Sequence, residues 1–118
     1  MKSILLTIAL VFSVQASANS KIAERLVLAD IEQYANYYQI EELEGLKYNG
    51  IIDKSYSFSV FYKTSFCRDI GDDSRIHCAA YRCVGVAEVN SDAIVSLTVE
   101  TNVKKCSKVP NSDFTRSW

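Results

Sequence analysis

The spacing of apolar residues along the chain changes twice, and each change marks an element. Residues 4–14 form an apolar run broken only by Thr7 and Ser13. From residue 20 to about 39 the period becomes helical. Ala23, Val27, Ile31, Tyr34 and Tyr38 fall on one side, while Arg25, Glu32, Gln33, Asn36 and Gln39 fall opposite. This predicts an amphipathic helix with Ser20 as its N-cap and Glu24 in the first turn, where a helix end favours negative charge. From Ser55 the period is two. Tyr56, Phe58, Val60, Tyr62 and Phe66 alternate with Ser55, Ser57, Ser59, Lys63 and Ser65, the pattern of a strand with one buried face.

Turn residues divide what remains. Gly71, Asp72, Asp73 and Ser74 predict a turn, residues 76–89 a second long strand, and Asn90, Ser91 and Asp92 another turn. Residues 94–103 then predict a further strand with Val95, Leu97, Val99 and Val103 on one face. Upstream, Asn49-Gly50 suits a type I′ turn, which requires positive φ at both central residues, and predicts a short hairpin near residues 46–53. Glu41, Glu42 and Glu44 read as a solvated helix end or loop, and the tyrosines at 34, 37, 38 and 48 as core rings with hydroxyls at the rim. The expected fold is α+β: one N-terminal helix packed on a three- to four-stranded antiparallel meander. The helix would cover the face of Phe58, Val60, Tyr62, Leu97 and Val99 and leave the other face open.

The first apolar run reads as a signal peptide. Lys2 supplies the positive start, and Ala16-Ser17-Ala18 the small-residue cleavage site. The run is too short to span a bilayer. The expected organisation is a signal peptide at 1–18, a single α+β domain at 19–108, and a C-terminal tail at 109–118 that frays. Secretion, extracellular or periplasmic, makes Cys67, Cys78, Cys83 and Cys106 candidates for two disulfides. The midpoint of Cys67 and Cys78 falls on the Asp72-Asp73 turn, which places them opposite each other. Cys83 and Cys106 flank the next hairpin, but their midpoint lies about three residues past its turn, so that pairing needs a bulge or an uneven strand end. The 67–78 and 83–106 pairing is preferred over the other two.

Charge narrows the partners. Without residues 1–18 the chain carries 12 basic and 14 acidic residues, a net charge of −2, and its longest basic run is Lys104-Lys105. Neither nucleic acid nor an anionic membrane surface is expected as a partner. His77 is the single histidine, and beside Cys78 it raises the question of a Cys–His nucleophile or a zinc site. Strand neighbours point to opposite faces, and disulfide formation consumes the thiol, so His77 reads as structural. Asp72 and Asp73 read as a solvated turn tip. No phosphate-binding glycine loop or serine elbow occurs. No enzyme, metal or cofactor is expected.

The stretch Tyr56-Ser-Phe-Ser-Val-Phe-Tyr-Lys-Thr-Ser-Phe-Cys67, followed by Cys78, Cys83 and Cys106, resembles the secreted, disulfide-bonded cystatin family and its cathelicidin pro-domain relatives. The resemblance covers about half of residues 19–118 and implies a long helix followed by a meander with two sequential disulfides. It does not carry the family's inhibition of cysteine proteases. The family's Gln-x-Val-x-Gly turn, Pro-Trp turn and N-terminal glycine have no counterparts in residues 47–52, 90–93 or 19–22. The expected function is a non-enzymatic, exported protein-binding domain that inhibits or neutralises another protein. Tyr48, Asn49 and Gly50 in the first turn and Asn90, Ser91 and Asp92 in the last would make the contact. In a bacterium this would be an immunity-type protein against a toxin or cell-wall hydrolase. The alternatives are a small-ligand carrier using tyrosine-rich space between helix and sheet, and a module that self-associates, as a homodimer, through a sheet edge.

Overall fold

The structure, a computed structural model, describes residues 4–69 and 75–117, with side chains for 19–69 and 75–116. Lys2, Trp118 and the turn expected at Gly71 to Ser74 lie outside the described residues. One helix, α1 (Ile4–Tyr38), packs on a six-stranded antiparallel sheet. The strands are β1 (Glu42–Ile52), β2 (Ser55–Asp69), β3 (Arg75–Val89), β4 (Val95–Thr98), β5 (Ser107–Lys108) and β6 (Phe114–Ser117). This is the expected α+β arrangement, with both disulfides in the preferred pairing, Cys67–Cys78 and Cys83–Cys106. The bonds suit an oxidising compartment outside the cytosol. Among the described residues, no helix is long and apolar enough to cross a membrane.

The helix begins earlier than its predicted N-cap. It runs unbroken from Ile4 through Ser20, because no glycine or proline separates the first apolar run from the amphipathic stretch. Its other end is where the periodicity puts it. Gln39 takes a left-handed φ of 59°, its N–H donates to the Asn36 carbonyl, and the Ile40 N–H donates to that of Ala35. These two bonds close a Schellman cap, and Ile40 is buried beside them. Ala23, Val27 and Ile31 enter the core as expected. They pack with Phe58, Val60 and Tyr62 of β2 and Cys83, Ala87 and Val89 of β3, with Leu97 and Val99 at the margin.

Beyond β3 the sheet departs from the expectation of one strand over residues 94–103. Only Val95–Thr98 pairs there. Between Val86, opposite Thr98, and Arg82, opposite Ser107, β3 advances four residues while the facing segment advances nine. Between Tyr81, opposite Lys108, and Cys78, opposite Phe114, the advances are three and six. β4, β5 and β6 are thus successive pieces of one edge along β3, separated by two excursions. The first excursion, which contains a short 3-10 turn at Val103–Lys105, takes up the residues that the Cys83–Cys106 midpoint left over. The tail does not fray as expected: Phe114–Ser117 pairs with β3 from Cys78 to Arg75. The acidic run is also strand. Glu42 and Glu44 lie in β1, where Lys63 sits 3.4 Å and 3.8 Å from them and Arg82 bonds both Glu44 oxygens at 3.2 Å.

Candidate functional site

The meander brings the β1–β2 and β3–β4 turns to one end of the sheet. The first is a two-residue turn, Asp53-Lys54, with φ of 50° and 66°. Positive φ at both residues gives the twist that antiparallel strands need. The second turn is organised by Asn90. Its side-chain oxygen accepts the N–H groups of Asp92 (2.9 Å) and Ile94 (3.0 Å), and its backbone N–H donates to the Ile94 carbonyl. Such a closed local network fixes a loop at little further ordering cost. Asn19, Ile22 and Ala23 of α1 join both turns around a cleft of about 410 Å³, with Ile51, Lys54, Tyr56, Val89, Asn90, Ser91 and Ala93.

This end carries apolar surface that the fold does not use. Ile22 is 52% exposed, Ile51 59%, Ile52 47% and Ile94 57%. Ile22 and Ile51 line the cleft with polar Asn19, Lys54, Asn90 and Ser91, Ile94 follows Ala93 at its margin, and Ile52, next to Ile51 on β1, faces the other side of the sheet. Single surface isoleucines are ordinary, whereas exposed Ile22 and Ile51 around one cleft form a local apolar patch.

Of the predicted contact residues, Asn90, Ser91 and Asp92 form a turn at this end. Tyr48, Asn49 and Gly50 do not form a turn, because they lie inside β1. Asn49 is the extra residue of a β-bulge between Tyr48, opposite Phe58, and Gly50, opposite Ser57. Its side-chain amide donates to Ser59 Oγ at 2.8 Å. Gly50 has φ of 95°, so the left-handed tolerance of Asn-Gly is spent on the bulge. A turn at Asn49-Gly50 would fold residues 51 and 52 back on 48 and 47. Turning at Asp53-Lys54 instead lets Leu43, Leu46 and Tyr48 face Tyr62, Val60 and Phe58 of β2. The apolar register outweighs the local turn preference. Ile22, Ile51, Lys54 and Ile94 were missed by sequence reasoning. The readable signal was Ile51-Ile52, since two successive apolar residues on a half-buried strand cannot both face the core.

A second cleft, about 350 Å³, lies at the far end of the helix-side face. Phe66 and Tyr81 stack edge to face there at 5.3 Å, with Arg68, His77, Lys108 and Asp113 around them. Asp113 takes Lys108 Nζ on one oxygen at 2.8 Å and His77 Nε2 on the other at 2.9 Å. Lys108, and after it His77, hold the Asp113 carboxyl below the usual carboxylate range, and Asp113 in turn raises Lys108. His77 and Cys78 sit on opposite faces of β3, and the Cys78 sulfur is bonded to Cys67, so they form no nucleophilic pair. Among the described residues, no group of three or more His, Cys, Asp or Glu side chains is placed to hold a metal ion.

Comparison with known protein families, curated proteins and solved structures finds no match to this chain.

Proposed function

We propose that this chain is an exported, non-enzymatic protein that docks another protein through its turn-bearing end and thereby blocks or neutralises it. The leader pattern of residues 1–18 and the two disulfides support export. The observation that carries the docking is the exposure of Ile22 and Ile51 around the cleft at the turn-bearing end, with exposed Ile94 in the adjoining β3–β4 turn. A cross-linked scaffold with preformed turns loses little freedom on association, which favours tight binding by a small surface. Neutralising a hydrolase or toxin in a periplasm and inhibiting a protein in an extracellular fluid are two settings of the same act. Papain-type inhibition is not part of the proposal, because the wedge sequences of the cystatin family are missing.

The test uses oxidised protein beginning at Asn19 as bait in the extracytoplasmic fraction of its producing cell. A stoichiometric protein partner is expected, retained by Val84→Lys on the open sheet face and lost with Ile51→Lys combined with Ile94→Lys. Equal capture by both variants would move the interface elsewhere. Recovery of only a self-dimer or a small molecule would replace the proposal with one of its rivals.

A further inference from the structure

Tyr34, Tyr37 and Tyr38 close α1 without all entering the core, contrary to the core-ring expectation. Tyr37 is 83% exposed and Tyr34 45%, while Tyr38 is half-buried. At Tyr34 the backbone leaves helical geometry, with φ of −117° and ψ of 25°. The residues around this kink therefore depart from the stripe that Ala23, Val27 and Ile31 define. The Tyr38 ring meets Tyr34 edge to face at 6.5 Å and 83°, and Tyr37 at 5.5 Å and 72°. The three rings line a cleft of about 220 Å³.

A negative group stands behind the rings. The Tyr38 hydroxyl donates to Asp30 Oδ2 at 2.5 Å. Burial and this carboxylate push the Tyr38 phenol up to about 12, so it remains a donor throughout the physiological range. A phenol bonded to a carboxylate is polarised, which makes its ring face more electron-rich. Aromatic faces attract cations whereas ring edges carry partial positive charge, so a cation in this cleft would contact the ring faces turned to it.

We propose that Tyr34, Tyr37 and Tyr38, with Asp30 behind them, form an aromatic cage for a small quaternary ammonium ion of the choline type. A primary ammonium ion holds its water tightly and needs hydrogen-bond acceptors, whereas the cleft offers ring surface. A trimethylammonium head gives up water easily and matches that surface. At about 220 Å³ the cleft can take a whole ion of this size, head and short arm together. Asp30 adds attraction for the cation and repels a zwitterion with its own carboxylate, so choline is preferred to betaine. The cage closes the C-terminal end of α1, more than three turns past Ile22, and the proposal stands independently of the docking rim.

The test is an NMR titration of the oxidised protein with choline chloride against matched sodium chloride, following the ring resonances of the three tyrosines. Saturable shifts are expected with a dissociation constant of about 1–10 mM, and binding about ten-fold weaker for 3,3-dimethyl-1-butanol, the neutral molecule of the same shape. Tyr37→Phe should retain binding and Tyr37→Ala should weaken it about five-fold or more. Tyr37 is so exposed that neither change should disturb folding, which retention of both disulfides and the circular dichroism spectrum would verify. Equal binding of the neutral molecule, an unaffected Tyr37→Ala variant, or no saturable shift would overturn the cage. A response to phosphatidylcholine vesicles with none to choline would also overturn it, in favour of a membrane contact.

Discussion

At the scale of single residues, Gly85 shows how one missing side chain routes the chain. A Cβ at this position would lie 2.7 Å from the Thr98 carbonyl oxygen and 3.5 Å from the Val99 Cα. Thr98 is the last residue of β4, so the first excursion leaves the edge directly over Gly85. The neighbouring Tyr62 secures that departure, since its buried hydroxyl accepts the Glu100 N–H at 2.9 Å. The contact at Gly85 is with backbone, which cannot rotate aside as a side chain would. Gly85→Ala should therefore cost about 1–3 kcal/mol, read as a lower urea midpoint with an unchanged slope. No loss of stability would mean that the excursion does not cross so closely. None of this was legible beforehand. A glycine within a β run signals a bulge or a close approach without saying which.

At the scale of elements, regular packing was legible and local interruptions were not. The stripe Ala23, Val27, Ile31 and the alternation Phe58, Val60, Tyr62 both reach the core, because burial of a whole face rewards a constant period. The stripe fails at Tyr34, where the backbone kinks, and residues 94–103 fail as one strand, where five surplus residues leave the edge. A period cannot reveal such breaks. The tail shows what returns the chain to the sheet. Ser112 Oγ accepts the Ala80 N–H at 3.1 Å and donates to the Val109 carbonyl at 2.6 Å, while Asp113 joins Lys108 and His77. Because Asp113 titrates below its ordinary value, its contribution is present above the unfolded carboxyl value and is lost as pH falls through the lower folded one. Lys108 titrates above its ordinary value, so its contribution is lost only as pH rises through that raised value. The clasp should hold across neutral pH and loosen below about pH 4, with β6 chemical shifts moving toward random-coil values. Asp113→Asn should abolish that acid step. A β6 that opens near pH 6.5 instead would assign the control to another group.

At the scale of the whole molecule, the sulfur bridges and the meander were readable together, because their spacing and the turn residues point to one topology. The turn-bearing end was readable only in part. Asn90, Ser91 and Asp92 announce a turn, while exposed isoleucines look like core isoleucines until strands are laid side by side. The two bridges also make a testable contrast. Cys83–Cys106 closes a loop about twice as long as Cys67–Cys78, with separations of 23 and 11. In the chain-entropy picture, removing the longer link costs about 3.5 kcal/mol and the shorter about 3. Paired Cys→Ser variants should therefore unfold in that order in guanidinium chloride, each still folded at 25 °C. The reverse order would show that native packing, rather than the freedom of the unfolded chain, sets the difference.

The pieces along the outer borders of the sheet have a consequence for crowding. On one border, bulges at Glu44 and Asn49 leave Gly45 to Tyr48 as the longest regular stretch of β1, four residues. On the other, the longest stretches are β4 and β6, also four residues each. An incoming strand seeking to template fibril growth would lose register within about 13 Å at either border. Such a molecule can leave sticky isoleucines in the open at one end and still resist stacking into amyloid along its flanks.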